Sequence, residues 1–371
     1  MGPFPHDAPR AVISADNPAG TDGFEFVEFA HPQPEQLHSL FRRLGFTAVA
    51  RHRTRQSTLY RQGDVNYLVS ETPGSHAAGF AAAHGPSVPS MAFRVADAAH
   101  AYEHALANGA RPADPAQGTL TLDVPAIEGI GGSLIYFVDR YHDRGSAYAA
   151  DFTWLGAEDP CPPGVGLYYI DHLTHNVQRG RMDVWFKFYE RIFNFRQIRF
   201  FDINGQHTGL TSRALTSPDG RIRIPLNESS DDRSQIEEYL HAYKGEGIQH
   251  IACGTDDIFT TVGNLRAAGV DFMPSPPDTY YDMTDSRLPG HSEDLPRLKQ
   301  LGILVDGEKV EGRDGIGTLL QIFSANLIGP VFFEFIQRKG NDGFGEGNFR
   351  ALFESIEADQ IRRGVLVPAG A

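Results

Sequence analysis

Cysteine is nearly missing from this chain. Only Cys161 and Cys253 occur among 371 residues, in unrelated contexts. Neither a disulfide framework nor a zinc-ribbon spacing can be built from them, and a reducing, cytoplasmic setting is expected. Basic charge is also short: 33 Lys and Arg stand against 47 Asp and Glu, a formal net charge of -14. No basic field is available to neutralise phosphates, so nucleic acid and anionic membranes are excluded as partners. No run of about 18 apolar residues exists, and no membrane-spanning helix is expected. Residues 1–22, rich in Pro, Ala and Gly, lack the basic start and apolar core of a signal peptide and are expected to form a flexible tail. There is no nucleophile elbow in a Ser-His-Asp order, and no phosphate loop. What remains, at 41% hydrophobic and 22% charged, is globular material long enough for two domains with full cores, suited to small-molecule chemistry.

The chain contains itself twice. Residues 25–46 and 169–195 share a short strand, a polar turn, a helix with an apolar stripe and an aromatic exit. In the second copy Met182, Trp185, Phe186, Tyr189 and Phe193 recur at helical spacing, which reads as core packing. Further on, 90–112 matches 250–272 at a constant offset of 160, each passing Asp97 or Asp257 near a helix start and closing that helix at Gly109 or Gly269. A third, looser match pairs 129–138 with 315–323. Each half therefore reads as two modules of strand, helix and further strands, whose sheets can curl around a cavity. By this alignment Glu28 and Ser90 of the first half stand opposite His172 and His250 of the second.

The stretch "YYIDHLTHNV" (168–177) alternates as a strand, which turns His172 and His175 to opposite faces. One ion cannot use both, so further ligands must come from far along the chain. His250, at the matching point of the next module, is one candidate. The apolar strand "PVFFEFIQR" offers Glu334 as another, whose carboxylate is carried into an apolar environment where a metal would remove the cost of burial. A salt bridge to Arg338, or an edge strand with Glu334 in water, would explain the same residue. Two imidazoles and one carboxylate with the other positions open suit a non-haem Fe(II) oxygenase, and ligand type alone also admits zinc. His31, His175, His207 and His241 read as surface or hydrogen-bonded histidines. "DDRSQIEEYL" reads as a helix with an acidic start, and 275–308 as a loop, a short helix and a strand.

The run 247–272, "LLQIF" at 319–323 and "GPVFFEFIQRKGNDGFGEGNFRALFESIEADQIRRG" resemble the bacterial 4-hydroxyphenylpyruvate dioxygenase family of the vicinal oxygen chelate superfamily, over nearly the whole chain from about Gly23 to Leu366. The resemblance implies an α+β chain of two open β-barrels built from repeated βαβββ modules. Residues 23–152 would form a metal-free domain, and 153–371 an iron-binding domain with a gating helix over about 343–364. It implies His172, His250 and Glu334 as ligands of Fe(II). Ser212, Asn227, Gln235, Gln249 and Gln321 would line a polar substrate pocket, with Asn227, Gln235 and Gln321 in catalytic roles. Strand alternation alone turns Gln249 away from His250. Phe323, Phe332, Phe344 and Phe349 would form an aromatic wall. Gly343, Gly345 and Gly347 then read as the hinge of a terminal lid.

The activity so implied is conversion of 4-hydroxyphenylpyruvate, an aromatic 2-oxo acid, and dioxygen into homogentisate and CO2, in tyrosine and phenylalanine catabolism. It involves oxidative decarboxylation, ring hydroxylation and side-chain migration, and a homodimer or homotetramer is implied. The alternatives are 4-hydroxymandelate synthase, which uses the same substrate and ligands, and a non-catalytic binding protein of the same fold.

Overall fold

The architecture was read from a computed structural model that describes residues 9–204, 209–230, 232, 234–309 and 315–348. Strands of the first half are β1 (Thr21–Ala30), β2 (Thr47–His52), β3 (Ser57–Gln62), β4 (Val65–Ser70), β5 (Ser87–Val95), β6 (Ala126–Glu128), β7 (Leu134–Val138) and β8 (Phe152–Trp154). Those of the second are β9 (Leu167–Val177), β10 (Arg196–Asn204), β11 (Gly209–Thr216), β12 (Arg223–Ser229), β13 (Gly247–Thr255), β14 (Leu304–Lys309), β15 (Ile316–Phe323) and β16 (Phe332–Lys339).

They form two eight-stranded sheets, ordered β6-β7-β5-β1-β4-β3-β2-β8 and β10-β11-β12-β9-β13-β16-β15-β14. Each sheet is two modules joined at its centre by an antiparallel pair, β1 with β5 and β9 with β13. Each central strand also runs parallel to the last strand of its own module: β1 with β4, β5 with β7, β9 with β12 and β13 with β16. This is the repeated curled sheet that the sequence repeat requires, in a mixed α+β chain. Among the described residues, no helix is long and apolar enough to cross a membrane.

Local rules account for the helices. Asp97 and Asp257 accept from the backbone N–H of His100 and Thr260 at 2.8 and 3.1 Å, and Gly109 and Gly269 follow those helices at φ +84° and +76°. Ser234 caps the helix Gln235–Tyr243, whose first turn holds Glu237 and Glu238. Met182, Trp185, Tyr189 and Phe193 are buried on Met182–Phe193, with Phe186 packed partly against the same core. Residues 275–308 differ in detail from the expectation, with three short helices, Asp278–Asp282, Thr284–Arg287 and Leu295–Leu301, before β14.

The register corrects the alignment of the two halves. Ala92 of β5 pairs with Phe26 and Ala252 of β13 pairs with His172, while Ser90 pairs with Glu28 and His250 with Thr174. Phe26, not Glu28, therefore occupies the place of His172. Likewise β7 lies parallel to β5 as β16 does to β13, with Ala92 beside Tyr136 and Ala252 beside Glu334. The match of 129–138 with 315–323 thus gives way to one with β16, and Tyr136 stands where Glu334 does. In the first half, Phe26, Ala92, Leu68, Leu134 and Tyr136 belong to a separate buried cluster, with the Phe26 and Tyr136 rings 5.5 Å apart. An apolar plug fills the face that the second half leaves for chemistry. Glu28, buried within it, accepts from Ser70 and Ser90 at 2.5 Å and also from Thr121.

The two sheets meet through their central strands. Phe29 and Tyr67 lie 6.2 and 6.0 Å from Phe333, and the Tyr67 hydroxyl is 3.0 Å from the Cys253 sulfur. These contacts sit on the faces of β13 and β16 opposite His250 and Glu334, so the first half backs the strands that carry the site.

Candidate metal centre

Three adjacent strands supply the trio. Ala252 pairs with His172 on one side and Glu334 on the other, and its methyl group leaves room for the two longer side chains to lean together. His250, two residues along β13, shares that face. His172 Nε2 lies 3.0 Å and His250 Nε2 3.4 Å from Glu334 Oε2, and the two nitrogens are 3.3 Å apart. All three residues are buried. His175 points the other way, to the Tyr189 hydroxyl at 2.8 Å, and burial pushes its pKa down to about 3, which keeps it neutral.

The donor set fits a metal ion. The outer nitrogen of each imidazole is already engaged: His172 Nδ1 with Asp171 Oδ1 at 2.8 Å and His250 Nδ1 with Gln249 Oε1 at 3.0 Å. Carboxylate and amide oxygens accept, so each Nδ1 carries a proton and each Nε2 is the nitrogen that would offer its lone pair to an ion. With metal–ligand bonds of about 2.1 Å, neighbouring ligand atoms stand roughly 3.0 to 3.4 Å apart in octahedral or tetrahedral geometry. The observed edges fall in that range. Gln249 reaches His250 because the register shifts between Ile248 and His250, which places an extra residue in the strand and relaxes strict alternation.

Electrostatics agree with this arrangement. Burial works to raise the Glu334 pKa, but His172 and then His250 outweigh it and bring it to about 2. Burial likewise opposes ionisation of Asp171, yet the Arg338 guanidinium holds it well below the usual carboxylate range. Arg338 therefore pairs with Asp171, at 2.7 Å to each oxygen, rather than with Glu334. Burial depresses His172, and Glu334 with Asp171 more than offsets this and raises it; burial lowers His250.

The trio lines a cleft together with Thr174, Phe201, Ser212, Pro225, Asn227, Phe323, Phe344 and Glu346. Phe201, Ser212 and Asn227 share one register row across β10, β11 and β12, which is why they converge. Phe332 stacks on His250 with centroids 4.8 Å apart, Phe323 stands edge-on to Phe332 at 6.0 Å, and Phe344 edge-on to His172 at 5.4 Å.

Of the expected pocket residues, Ser212, Asn227, Phe323 and Phe344 line the cleft, and Phe332 forms the wall behind His250. Gln249 acts instead on the outer nitrogen of that histidine. Gln321 is buried, packed under Gly345. Gln235 is the exposed first residue of its helix and is not among the residues that line the cleft. Phe349, most of the expected terminal helix, and His207 lie outside the described residues. Sequence reasoning missed Thr174, Phe201, Pro225, Glu346 and the Asp171–Arg338 pair. For Thr174 a signal existed, since it shares the alternation of His172.

The profile described as hydroxyphenylpyruvate dioxygenase, N-terminal, matches residues 15–153, and that of the glyoxalase/bleomycin resistance protein/dioxygenase superfamily matches 169–294. The chain is 61% identical to hemolysin VllY of Vibrio vulnificus over 96% of this chain and 99% of that one. It is 56% identical to 4-hydroxyphenylpyruvate dioxygenase of Pseudomonas aeruginosa over the same shares. Among solved structures, a fusion of a xylose isomerase-like barrel with 4-hydroxyphenylpyruvate dioxygenase superposes with a TM-score of 0.76 at 32% identity, over 94% of this chain and 53% of that one. A mutant of 4-hydroxymandelate synthase from Streptomyces coelicolor gives 0.75 at 25% identity over 92% and 99%. The chain belongs to the 4-hydroxyphenylpyruvate dioxygenase family.

Proposed function

We propose that this enzyme converts 4-hydroxyphenylpyruvate and O2 to homogentisate and CO2, with Fe(II) held by His172, His250 and Glu334. The observation that carries this reading is the buried trio, its edges matched to metal coordination, lining a cleft walled by phenylalanines. Bound iron would supply open positions for the 2-oxo acid and dioxygen and the redox chemistry of decarboxylation and ring hydroxylation.

The chain supplies orientation and dryness. One carboxylate among three ligands leaves net positive charge on a divalent ion, which favours an anionic substrate in a molecule of net charge -14. Phe323, Phe332 and Phe344 offer faces and edges to an aromatic ring and exclude water. Ser212 and Asn227, side by side across β11 and β12, can orient a phenol without adding charge. The Thr174 hydroxyl is buried in the cleft wall with no protein partner, and a substrate oxygen would satisfy it.

Hydroxylation at the benzylic carbon, giving hydroxymandelate, is the second reading, favoured by the similarity to 4-hydroxymandelate synthase. Anaerobic loading with Fe(II), then oxygen uptake and product analysis on 4-hydroxyphenylpyruvate, separates the two. Homogentisate from the parent and none from Glu334→Ala is expected. Hydroxymandelate would keep the trio and overturn the ring placement; no oxygen uptake by the loaded parent would overturn the activity.

A further inference from the structure

Arg338 follows Glu334 by four residues on the same face of β16, and its side chain is fully enclosed. Its Nε and one terminal nitrogen hold both oxygens of Asp171, whose Oδ1 is the acceptor for His172 Nδ1. Its other terminal nitrogen donates to the carbonyl oxygens of Asn341 and Gly343, at 3.0 and 2.7 Å. Those carbonyls belong to the segment that delivers Phe344, whose ring lies against His172 and 5.8 Å from the guanidinium. The segment is further tied by Asn341, whose Oδ1 accepts from the Gly343 N–H at 2.7 Å and whose amide donates to the Gly317 carbonyl at 3.2 Å.

A guanidinium presents donors in a rigid planar fork, so one edge cannot shift without moving the other. The edge on Asp171 sets the acceptor that orients His172. The edge on Asn341 and Gly343 sets the height of Phe344 over the cleft. We propose that Arg338 is a positioning residue that makes these one event: seating of segment 341–344 over the cleft and alignment of His172 toward the metal are coupled through its two edges. The proposal rests on the reading of His172 as a metal ligand. It gives the segment a role beyond that of a wall, because its displacement would loosen a ligand on another strand.

The test uses Co(II) as a spectroscopic probe in the full-length chain. Parent, Arg338→Lys, Arg338→Gln and His172→Ala are titrated with Co(II) while the visible ligand-field bands are recorded, and chymotryptic cleavage after Phe344 is timed in the same samples. His172→Ala must abolish the parent's bands; if it does not, the reading of His172 itself fails, independently of Arg338. Coupling predicts that Arg338→Gln weakens Co(II) binding about 10- to 100-fold, shifts the bands and accelerates cleavage, all together. Arg338→Lys keeps the charge and one contact but cannot span both edges, so it should show the same paired changes at smaller size, and it decides the matter should Arg338→Gln fail to fold. Faster cleavage with parental Co(II) affinity and bands, or the reverse, would overturn the proposal.

Discussion

At the scale of single residues, Thr174 and Gln249 have opposite situations. The Thr174 hydroxyl is buried in the cleft wall without a partner, whereas the Gln249 oxygen serves the outer nitrogen of His250. Thr174→Val keeps the shape and removes the orphan. The expected result is unchanged or slightly higher stability, by up to about 1 kcal/mol, with KM for the 2-oxo acid raised several-fold in steady-state kinetics. An unaltered KM would mean that the hydroxyl never meets substrate. Gln249→Leu leaves the imidazole Nδ1 proton without its acceptor and should weaken metal binding by about 10-fold. That is measurable by calorimetric titration of the apoprotein, and an unchanged affinity would assign Gln249 a purely structural place.

At the scale of elements, the glycines before the terminal region do more than grant freedom. Gly345 lies at φ +76°, and a Cβ there would run into the Gln321 amide. Gly347 donates its N–H to Asp306 at 2.8 Å, and a Cβ would meet that carboxylate. The segment is thus pressed onto β14 and β15 at points where only a hydrogen fits. Gly345→Ala is expected to lift it, costing on the order of 1–2 kcal/mol in urea unfolding and lowering kcat/KM at least tenfold. Parental kinetics would show that close approach is unnecessary there. The glycine spacing was visible in sequence, but the residues it packs against come from two other strands and carry no local signal.

At the scale of the whole molecule, one half backs the other. Phe29 and Tyr67, on the face of the first sheet away from the apolar plug of Phe26, Leu68, Leu134 and Tyr136, pack against Phe333 and make that sheet a support for β13 and β16. The junction also holds a titrating group. Asp219, joined to Thr21 across the halves at 3.2 Å, is pushed up from 3.8 to about 6 by burial and by neighbouring Asp22. The folded state keeps that proton where the unfolded chain has lost it. Stability therefore falls as pH rises from about 4 through 6, and the penalty is fully present above that. Asp219→Asn should gain on the order of 1–3 kcal/mol at pH 7 and little at pH 4, as read from unfolding midpoints across that range. A gap independent of pH would contradict this account.

The chain by itself determined the duplicated architecture, the caps, the helix faces and the identity of the trio. Those follow from alternation, helical spacing and repeated segments, which are local or self-similar patterns, together with the resemblance carried by the terminal motifs. Register was not legible, because sliding an alignment by two residues preserves strand alternation. Glu28 was therefore set opposite His172 where pairing puts Phe26. Nor was the environment of each side chain: Gln235 stands exposed at a helix start, Gln249 turns toward His250 at a register shift, and Arg338 serves Asp171 instead of Glu334. Only tertiary structure decided these, since each depends on which element packs alongside which, and that is fixed by contacts between segments far apart in the chain.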